Sequence, residues 1–146
     1  VSENMKRFSI LLLSIISLFA VAGNNKMIHN SPERLEKLDK LLIEKKFTSD
    51  EELSYPGAPS EEVRVICEQA MNVVIQALID TPEEGITENE FWGLLEKASK
   101  LYKQFDSEEM DRSLSYMEEI MDIYGIESSG GRLNTWRYGF DPADSH

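Results

Sequence analysis

The 146-residue sequence contains one cysteine, Cys67, and only two histidines, which lie far apart along the chain. A single thiol excludes an internal disulfide, so the fold depends on its apolar core. A nucleophile activated by a histidine base would need His29 or His146 held rigidly, whereas both lie near the ends of the expected mature chain, where residues are seldom well ordered. The residue inventory therefore disfavours this kind of catalysis.

Several short catalytic motifs are also missing. The sequence has no G-x-S-x-G elbow, no glycine-rich phosphate loop, no H-E-x-x-H motif and no C-x-x-C pair. Cys67 falls within an apolar helical face, which predicts a buried and unreactive thiol. Asp141, Asp144 and His146 carry metal-ligand atoms, but this terminal run is weak evidence for a site. We predict no catalytic residue, no cofactor and no metal.

Basic residues are scarce. Fifteen lysines and arginines stand against 27 aspartates and glutamates, and the net charge is −12. Such a surface repels nucleic acid and anionic membranes, and it attracts cationic proteins, although most acidic surfaces are simply solvated. We therefore predict no nucleic-acid partner and, among protein partners, a basic one. The oligomeric state is left open.

The longest apolar run lies near the start of the sequence. Residues 5–7 are Met-Lys-Arg, residues 8–21 are nearly uncharged, and small residues follow at positions 20–22. This order is typical of a cleaved export signal. The run is shorter than the roughly 20 residues of a membrane-spanning helix. No cysteine directly follows the small residues at 20–22, where a lipoprotein would carry its lipid. The alternative interpretation is a buried first helix of the domain.

We accordingly expect residues 5–22 to be a signal peptide that is cleaved after Ala22. Residues 1–4 are then upstream residues without function, and residues 23–30 form a flexible N-terminus. The product is expected in the bacterial periplasm or outside the cell, without a stable membrane anchor. Removal of Glu3, Lys6 and Arg7 with the signal leaves 26 acidic and 13 basic residues, a net charge of −13.

From position 31 to position 124, apolar residues recur at helical spacing and predict four helices without strands. Helix starts are predicted at Ser31 with Pro32, at Ser60, at a capping box of Thr87 and Glu90, and at Asp106 or Ser107 with a second box closed by Glu109. Thr81 with Pro82 ends the second helix, and Gly125 with Ile126 resembles a left-handed stop after the fourth.

These signals predict an all-α fold, a compact four-helix bundle-like domain over residues 31–142 with an irregular aromatic C-terminal tail. Residues 143–146 are expected to be a flexible C-terminus. The second helix is the most apolar and should pack against several neighbours, because its polar residues form only a narrow stripe. The short joint at 105–107 predicts that the third and fourth helices are packed neighbours.

The tail concentrates aromatic and basic side chains. One interpretation is structural: Trp136 and Phe140 fold back and close one end of the bundle. The other makes Trp136, Arg137 and Tyr138 an exposed contact for a partner, because Trp, Tyr and Arg dominate interface hot spots. The sequence alone leaves both interpretations open.

The run Asn-Thr-Trp-Arg-Tyr-Gly-Phe-Asp-Pro at 134–142, with Ile-Met-Asp-Ile-Tyr-Gly-Ile at 120–126, resembles the C-terminal signature of a family of small bacterial helical proteins classed as a domain of unknown function. The resemblance covers roughly residues 60–142. It implies a bacterial origin and a shared fold of the tail. It implies no role for any residue.

Export, acidity, the aromatic tail and the missing catalytic motifs favour a non-enzymatic interaction protein, such as an inhibitor or an immunity-type partner. The first alternative is a cell-envelope hydrolase that uses carboxylates, with Glu68 on the most apolar helix as the acid among Glu68, Glu90, Glu96, Glu118 and Asp122. The second is a small-ligand carrier with a pocket lined by Met71, Met110, Met117 and Met121, although such methionines are more often core residues.

Overall fold

Apolar faces at helical spacing produce a predominantly helical domain in the computed structural model, which describes residues 26–145. The predicted signal peptide lies outside the described residues. The order of elements is β1 (Met27–Ile28), α1 (Pro32–Ile43), α2 (Glu61–Ile79), β2 (Ile86–Thr87), α3 (Glu88–Tyr102), α4 (Ser107–Ile123), α5 (Arg132–Tyr138) and a 3-10 turn (Pro142–Ser145). The four long helices are the four that the sequence predicts.

Three of these helices begin at the predicted caps. The Ser31 hydroxyl accepts the backbone N–H of Arg34 at 3.2 Å, and the Ser60 hydroxyl accepts that of Val63 at 3.2 Å. A complete capping box starts α3: the Thr87 hydroxyl accepts from the Glu90 N–H, and the Glu90 carboxylate accepts from the Thr87 N–H at 2.9 Å. Local hydrogen bonding therefore sets these starts.

The predicted second capping box, at the start of α4, is wrong. Asp106 is the N-cap residue, but its side chain makes no capping hydrogen bond. Glu109 turns inward instead, where it is 1% exposed and accepts a hydrogen bond from the Tyr55 hydroxyl at 2.9 Å. Tertiary contact with the segment before α2 has replaced the local cap.

The predicted flexible stretch 23–30 is also corrected, because its last four residues belong to the domain. Ile28 pairs with Ile86 in a two-stranded antiparallel ladder that the sequence did not predict. Asn30 is buried, donates to the Leu78 carbonyl at 3.0 Å and accepts from the Tyr124 hydroxyl at 2.8 Å. Strands of two residues are too short to show alternation, so the pattern gave no signal.

The core lies between α1, α2, α3 and α4, and α2 packs against the other three, as predicted. α3 and α4 pack against each other across the short joint. A left-handed Gly125 (φ +69°) ends α4, and the Ile126 N–H donates to the Met121 carbonyl at 2.9 Å, which confirms the predicted stop. Within residues 26–145, no helix is both long and apolar enough to cross a membrane.

The connecting segment (residues 44–60) is held by two aromatic residues. Phe47 is fully buried at φ +59°, and its ring lies 5.7 Å from that of Tyr102 and 5.2 Å from that of Tyr116. Its N–H donates to the Tyr116 hydroxyl at 3.0 Å. Tyr55 makes the second attachment through Glu109. A polar segment is thereby fixed against α4.

Candidate interaction surface

The tail is not irregular throughout, because it contains the seven-residue helix α5, which packs against α3 and α4. Gly131, at φ +81°, is the N-cap of α5, where a left-handed backbone lets the chain turn back. A Cβ at this position would overlap the Asp141 carboxylate. The glycine therefore permits both the turn and the close return of the chain end.

α5 is anchored through its inner face. Leu133 is buried, and the half-buried Trp136 packs edge-on against Trp92 of α3 with ring centroids 6.2 Å apart. The Arg132 guanidinium lies 4.7 Å from the Trp92 ring centroid. The structure thus places Trp136 as an anchor, in agreement with the structural interpretation of this residue.

Arg137 forms an ion pair with Asp111 of α4, and one of its terminal nitrogens lies 3.3 Å from the second carboxylate oxygen. The hydrogen bond to Asp111 raises the pKa of Arg137 above its ordinary value. The same guanidinium lies 5.1 Å from the ring centroid of Tyr138. Arg137 therefore fixes the position of α5 on α4 and lies against the ring of its neighbour.

Tyr138 and Phe140 lie at the surface and form what we call the aromatic tip. They are 55% and 56% exposed, and their ring centroids are 6.5 Å apart. Gly139, at φ +84°, ends α5 between them and donates its N–H to the Thr135 carbonyl at 2.8 Å. The expectation that Phe140 closes the end of the bundle is wrong, because this turn directs it to the surface.

The residues after the aromatic tip are tied back to α5. The Asp141 carboxylate accepts from the Asn134 amide at 3.2 Å and from the Ala143 N–H at 3.1 Å. Both bonds end on Oδ1 of the carboxylate that the sequence offered as a metal ligand. His146 lies outside the described residues, and among residues 26–145 no three His, Cys, Asp or Glu side chains are grouped to hold a metal.

Of the three predicted contact residues, the structure brings Arg137 and Tyr138 together and turns Trp136 inward. It adds Phe140 to the exposed residues, although the structural interpretation of the tail placed this residue inside. The sequence signal that could have indicated an exposed Phe140 is Gly139 between two aromatic residues. A glycine with a left-handed backbone at the end of a helix changes the direction of the chain. Gly139 predicts a turn, but it does not predict the direction in which Phe140 leaves.

A second polar group lies where the connecting segment meets α4. Burial, with Asp106 close by, raises the pKa of the Glu109 carboxyl. Arg112 is 8% exposed, and its guanidinium lies 4.0 Å from the Tyr116 ring centroid. It borders a cleft of about 210 Å³, which we call the Arg112 cleft and which is lined by Leu53, Ser54, Tyr55, Pro56, Glu108, Asp111, Arg112 and Ser115.

The surroundings of Glu109 raise the pKa of its carboxyl, and the sequence pattern gave no sign of this. It does not line the Arg112 cleft, and with 1% exposure it offers no route for a substrate. The predicted acid, Glu68, instead pairs with Arg64 at 2.8 Å and accepts the Lys46 N–H at 2.6 Å. Both carboxylates hold the connecting segment in place.

The remaining residues that the sequence suggested for a site are either buried in the core or distant from the Arg112 cleft. Cys67 is fully buried, and burial raises the pKa of its thiol to about 11, so the predicted buried cysteine is confirmed. His29 is exposed beside β1. The four methionines suggested for a ligand pocket are buried in the core, and none of them lines the Arg112 cleft.

These features define a small, acidic, predominantly helical domain whose C-terminal helix carries exposed aromatic residues. The chain belongs to the family described as Domain of unknown function (DUF4844), whose model matches residues 29–141. This match confirms the family class inferred from the sequence, and it includes two residues after β1 that we had placed outside the domain. No curated protein and no solved structure matches the chain.

Proposed function

We propose that this chain is an exported, non-enzymatic interaction module that binds a basic protein, in the manner of an inhibitor or an immunity-type partner. The observation that carries the proposal is the aromatic tip. Two large aromatic side chains lie in water next to each other, at the end of a helix whose other large residues are anchored.

The anchoring supports binding because it reduces the entropy that association would cost. Tyr and Phe have few rotatable bonds, and Trp136 and Arg137 fix the helix that leads to them. Tyr138 combines a large apolar ring with a hydroxyl that can hydrogen-bond, a combination typical of interface hot spots. Arg137 contributes its guanidinium beside that ring. The tip therefore resembles the central part of a protein interface.

The charge of the chain supports a cationic partner. The residues after position 22 carry a net charge of −13, and Asp144 and Glu108 are exposed on the tail and on α4. Such a field accelerates encounter with a basic protein and disfavours nucleic acid. We expect aromatic contacts to supply most of the affinity and the charges to supply rate and specificity.

The binding experiment compares the wild-type chain with a Y138A/F140A variant and with the control variant I43A. Ile43 is 84% exposed on α1, so I43A removes surface apolar area elsewhere. Each chain is immobilised and exposed to extract of the source organism, and each retained protein is then purified and titrated calorimetrically against the three chains.

The expected result is one basic protein that binds the wild type and I43A with similar affinity. Its affinity for Y138A/F140A should be at least about tenfold lower, and its affinity for the wild type should fall as the salt concentration rises. Binding that is unaffected by Y138A/F140A, or by salt, contradicts the proposal. So does the failure of all three chains to retain any protein.

Export rests on the order of residues at positions 5–22 and is tested separately. Mass spectrometry of the N-terminus of protein recovered from the periplasm or medium should find Gly23 as the first residue. Recovery only from the cytoplasm, with Met5 retained, would contradict export while leaving the interaction surface to be judged by the binding experiment.

A further inference from the structure

The Arg112 cleft lies beside the aromatic tip and shares a residue with its support. Asp111 lines the cleft and also holds Arg137, whose guanidinium lies against the Tyr138 ring. One wall of the cleft comes from the connecting segment and the other from α4. The tip and the cleft are therefore joined through the Arg137–Asp111 ion pair, so that one partner surface can contact both.

The wall from the connecting segment is held rigidly. Asp50 and Tyr55 exchange two backbone hydrogen bonds of 2.8 Å, and the Asp50 carboxylate accepts the N–H groups of Glu52 and Leu53 at 3.1 and 3.2 Å. The Tyr55 hydroxyl is fixed by Glu109. Because this wall is ordered before any ligand arrives, little conformational entropy is lost when the cleft is filled.

The positively charged group in the lining of the cleft is the buried guanidinium of Arg112. It lies over the Tyr116 ring, its Nη1 donates to the Ser115 hydroxyl at 2.8 Å and lies 3.9 Å from a Glu119 oxygen, and its Nη2 lies 3.5 Å from an Asp50 oxygen. Within residues 26–145 its Nε is buried and has no hydrogen-bond partner. This Nε is covered by the protein, so an acceptor brought by a ligand meets the terminal nitrogens Nη1 and Nη2, each of which carries two N–H groups.

The rim of the cleft decides which acceptor fits. Glu108 is exposed at the start of α4, and the Asp111 side chain is 57% exposed. Asp111 is already paired with Arg137, whereas Glu108 forms no ion pair within residues 26–145 and supplies the charge that repels a carboxylate or a phosphate. A neutral peptide carbonyl carries no charge to be repelled. The same rim attracts a cation. The apolar side chains of Leu53 and Pro56 offer a surface for the methylene stem of a basic residue.

We infer that the Arg112 cleft binds a lysine-bearing segment of the basic partner, a conclusion that rests on the proposed function and names its second contact. A backbone carbonyl of that segment accepts from the Arg112 guanidinium. The lysine stem packs on Leu53 and Pro56, and its ammonium group lies at the rim between Glu108 and Asp111.

Short peptides test the cleft without the partner. Acetyl-Gly-Lys-Gly-amide is titrated into the full chain while backbone amide shifts are followed by NMR, and peptides with norleucine or glutamate in place of lysine are the controls. The lysine peptide should shift amides at 53–55 and 108–115 and bind at least about fivefold more tightly than the norleucine peptide. Equal binding of these two peptides, stronger binding of the glutamate peptide, or no shifts at these positions would overturn the inference.

A charge variant with a matched control tests the rim. E108Q should lower the affinity for the lysine peptide at least about threefold and leave the affinity for the norleucine peptide unchanged. E62Q is the control, because Glu62 is also exposed and also occupies the second position of a helix, but lies on α2 away from the cleft. Equal effects of E108Q and E62Q would contradict a role for the rim.

The role of Arg112 is tested by changing the ligand, because a variant of this buried residue could fail to fold. n-Pentylamine has the stem and the ammonium group of lysine but no carbonyl. It should bind at least about fivefold more weakly than the lysine peptide. The lysine peptide should shift the Arg112 side-chain Nε resonance, whereas n-pentylamine should leave it unchanged. Equal affinity of the two probes would exclude a carbonyl contact.

Titration of the purified partner separates this inference from the proposed function. If both hold, E108Q and Y138A/F140A each weaken the complex and E62Q does not. If Y138A/F140A weakens it while E108Q behaves like E62Q, the partner uses the tip alone and the inference fails. If the lysine peptide binds in the cleft but no protein is retained by the chain, the proposed function fails and the cleft remains a site for basic peptides.

Discussion

Glycines at two positions of this chain have opposite roles, and the difference lies in their surroundings. Gly85 has φ +98°, and a Cβ there would overlap the Ile28 carbonyl oxygen, so β1 docks only because no side chain intervenes. Gly93 lies inside α3, and a Cβ there would meet nothing within 4 Å. Sequence alone does not distinguish the two, because the deciding atoms come from β1, which is distant along the chain.

We therefore expect G85A to destabilise the domain by about 2 kcal/mol or more, since it adds both a strained backbone and a steric clash with β1. G93A should stabilise it by roughly 0.5–1 kcal/mol through helix propensity. Urea denaturation of both variants measures the difference. Equal effects of the two substitutions would show that β1 does not dock as described.

The buried Glu109 makes stability depend on pH in a defined direction. Burial and Asp106 raise its pKa, so the folded state keeps this proton to a higher pH than the unfolded state does. The stabilising contribution is complete below the unfolded pKa, at about 4.3, and is lost as pH rises through the folded pKa. The E109Q side chain keeps an acceptor for the Tyr55 hydroxyl. Because it does not titrate, E109Q should not lose stability in this way as pH rises.

The free energy of unfolding of E109Q relative to the wild type should therefore increase as pH rises from about 4 to 7. The increase is about 1.4 kcal/mol for each unit by which the folded pKa exceeds the unfolded one. Urea titrations at several pH values measure it. A difference that is constant over this range, or that shrinks, would contradict the assigned environment of Glu109.

At the scale of elements, the helix starts fall into two kinds. Some are set by local hydrogen bonds, and one is set by tertiary contact. Ser31, Ser60 and Thr87 cap as the sequence predicts, because a cap and its partner are only three residues apart. The start of α4 departs from its pattern, because Glu109 finds Tyr55, 54 residues away. The pairing of β1 with β2 was missed for the same reason: residues that are distant in the sequence decide it.

The two kinds of helix start predict different mutational costs. T87A should destabilise the domain by about 1 kcal/mol, because it removes the hydroxyl of a complete capping box. D106A should cost clearly less, since the Asp106 side chain makes no capping bond and its charge lies near Glu109. Thermal denaturation of the two variants checks the order, and the reverse order would contradict the description of α4.

Helix α5 is short, and its stability comes from docking. W136A should therefore cost about 2 kcal/mol and increase hydrogen exchange in α5, because Trp136 packs on Trp92. F140A should change stability by less than about 0.5 kcal/mol, since this residue is more than half exposed. If F140A destabilised the domain as much as W136A, the aromatic tip would be part of the core and not an interaction surface.

At the scale of the whole molecule, the sequence predicts the helical class, the family class and most helix boundaries, because periodicity and caps are local. It does not predict which apolar residues stay exposed. Val73 and Phe140 lie in patterns typical of buried residues, yet they are 70% and 56% exposed. Nor does it predict the Arg112 cleft, because that cleft forms only where the connecting segment docks on α4.

The central claim is that the aromatic tip contacts a protein partner. Its most direct test places a photoreactive phenylalanine analogue at position 138, 140 or 43 in the source organism and irradiates the living cells. We predict that the same partner is crosslinked from positions 138 and 140 and not from position 43. An absence of adducts from the tip, or equal adducts from all three positions, would contradict the claim.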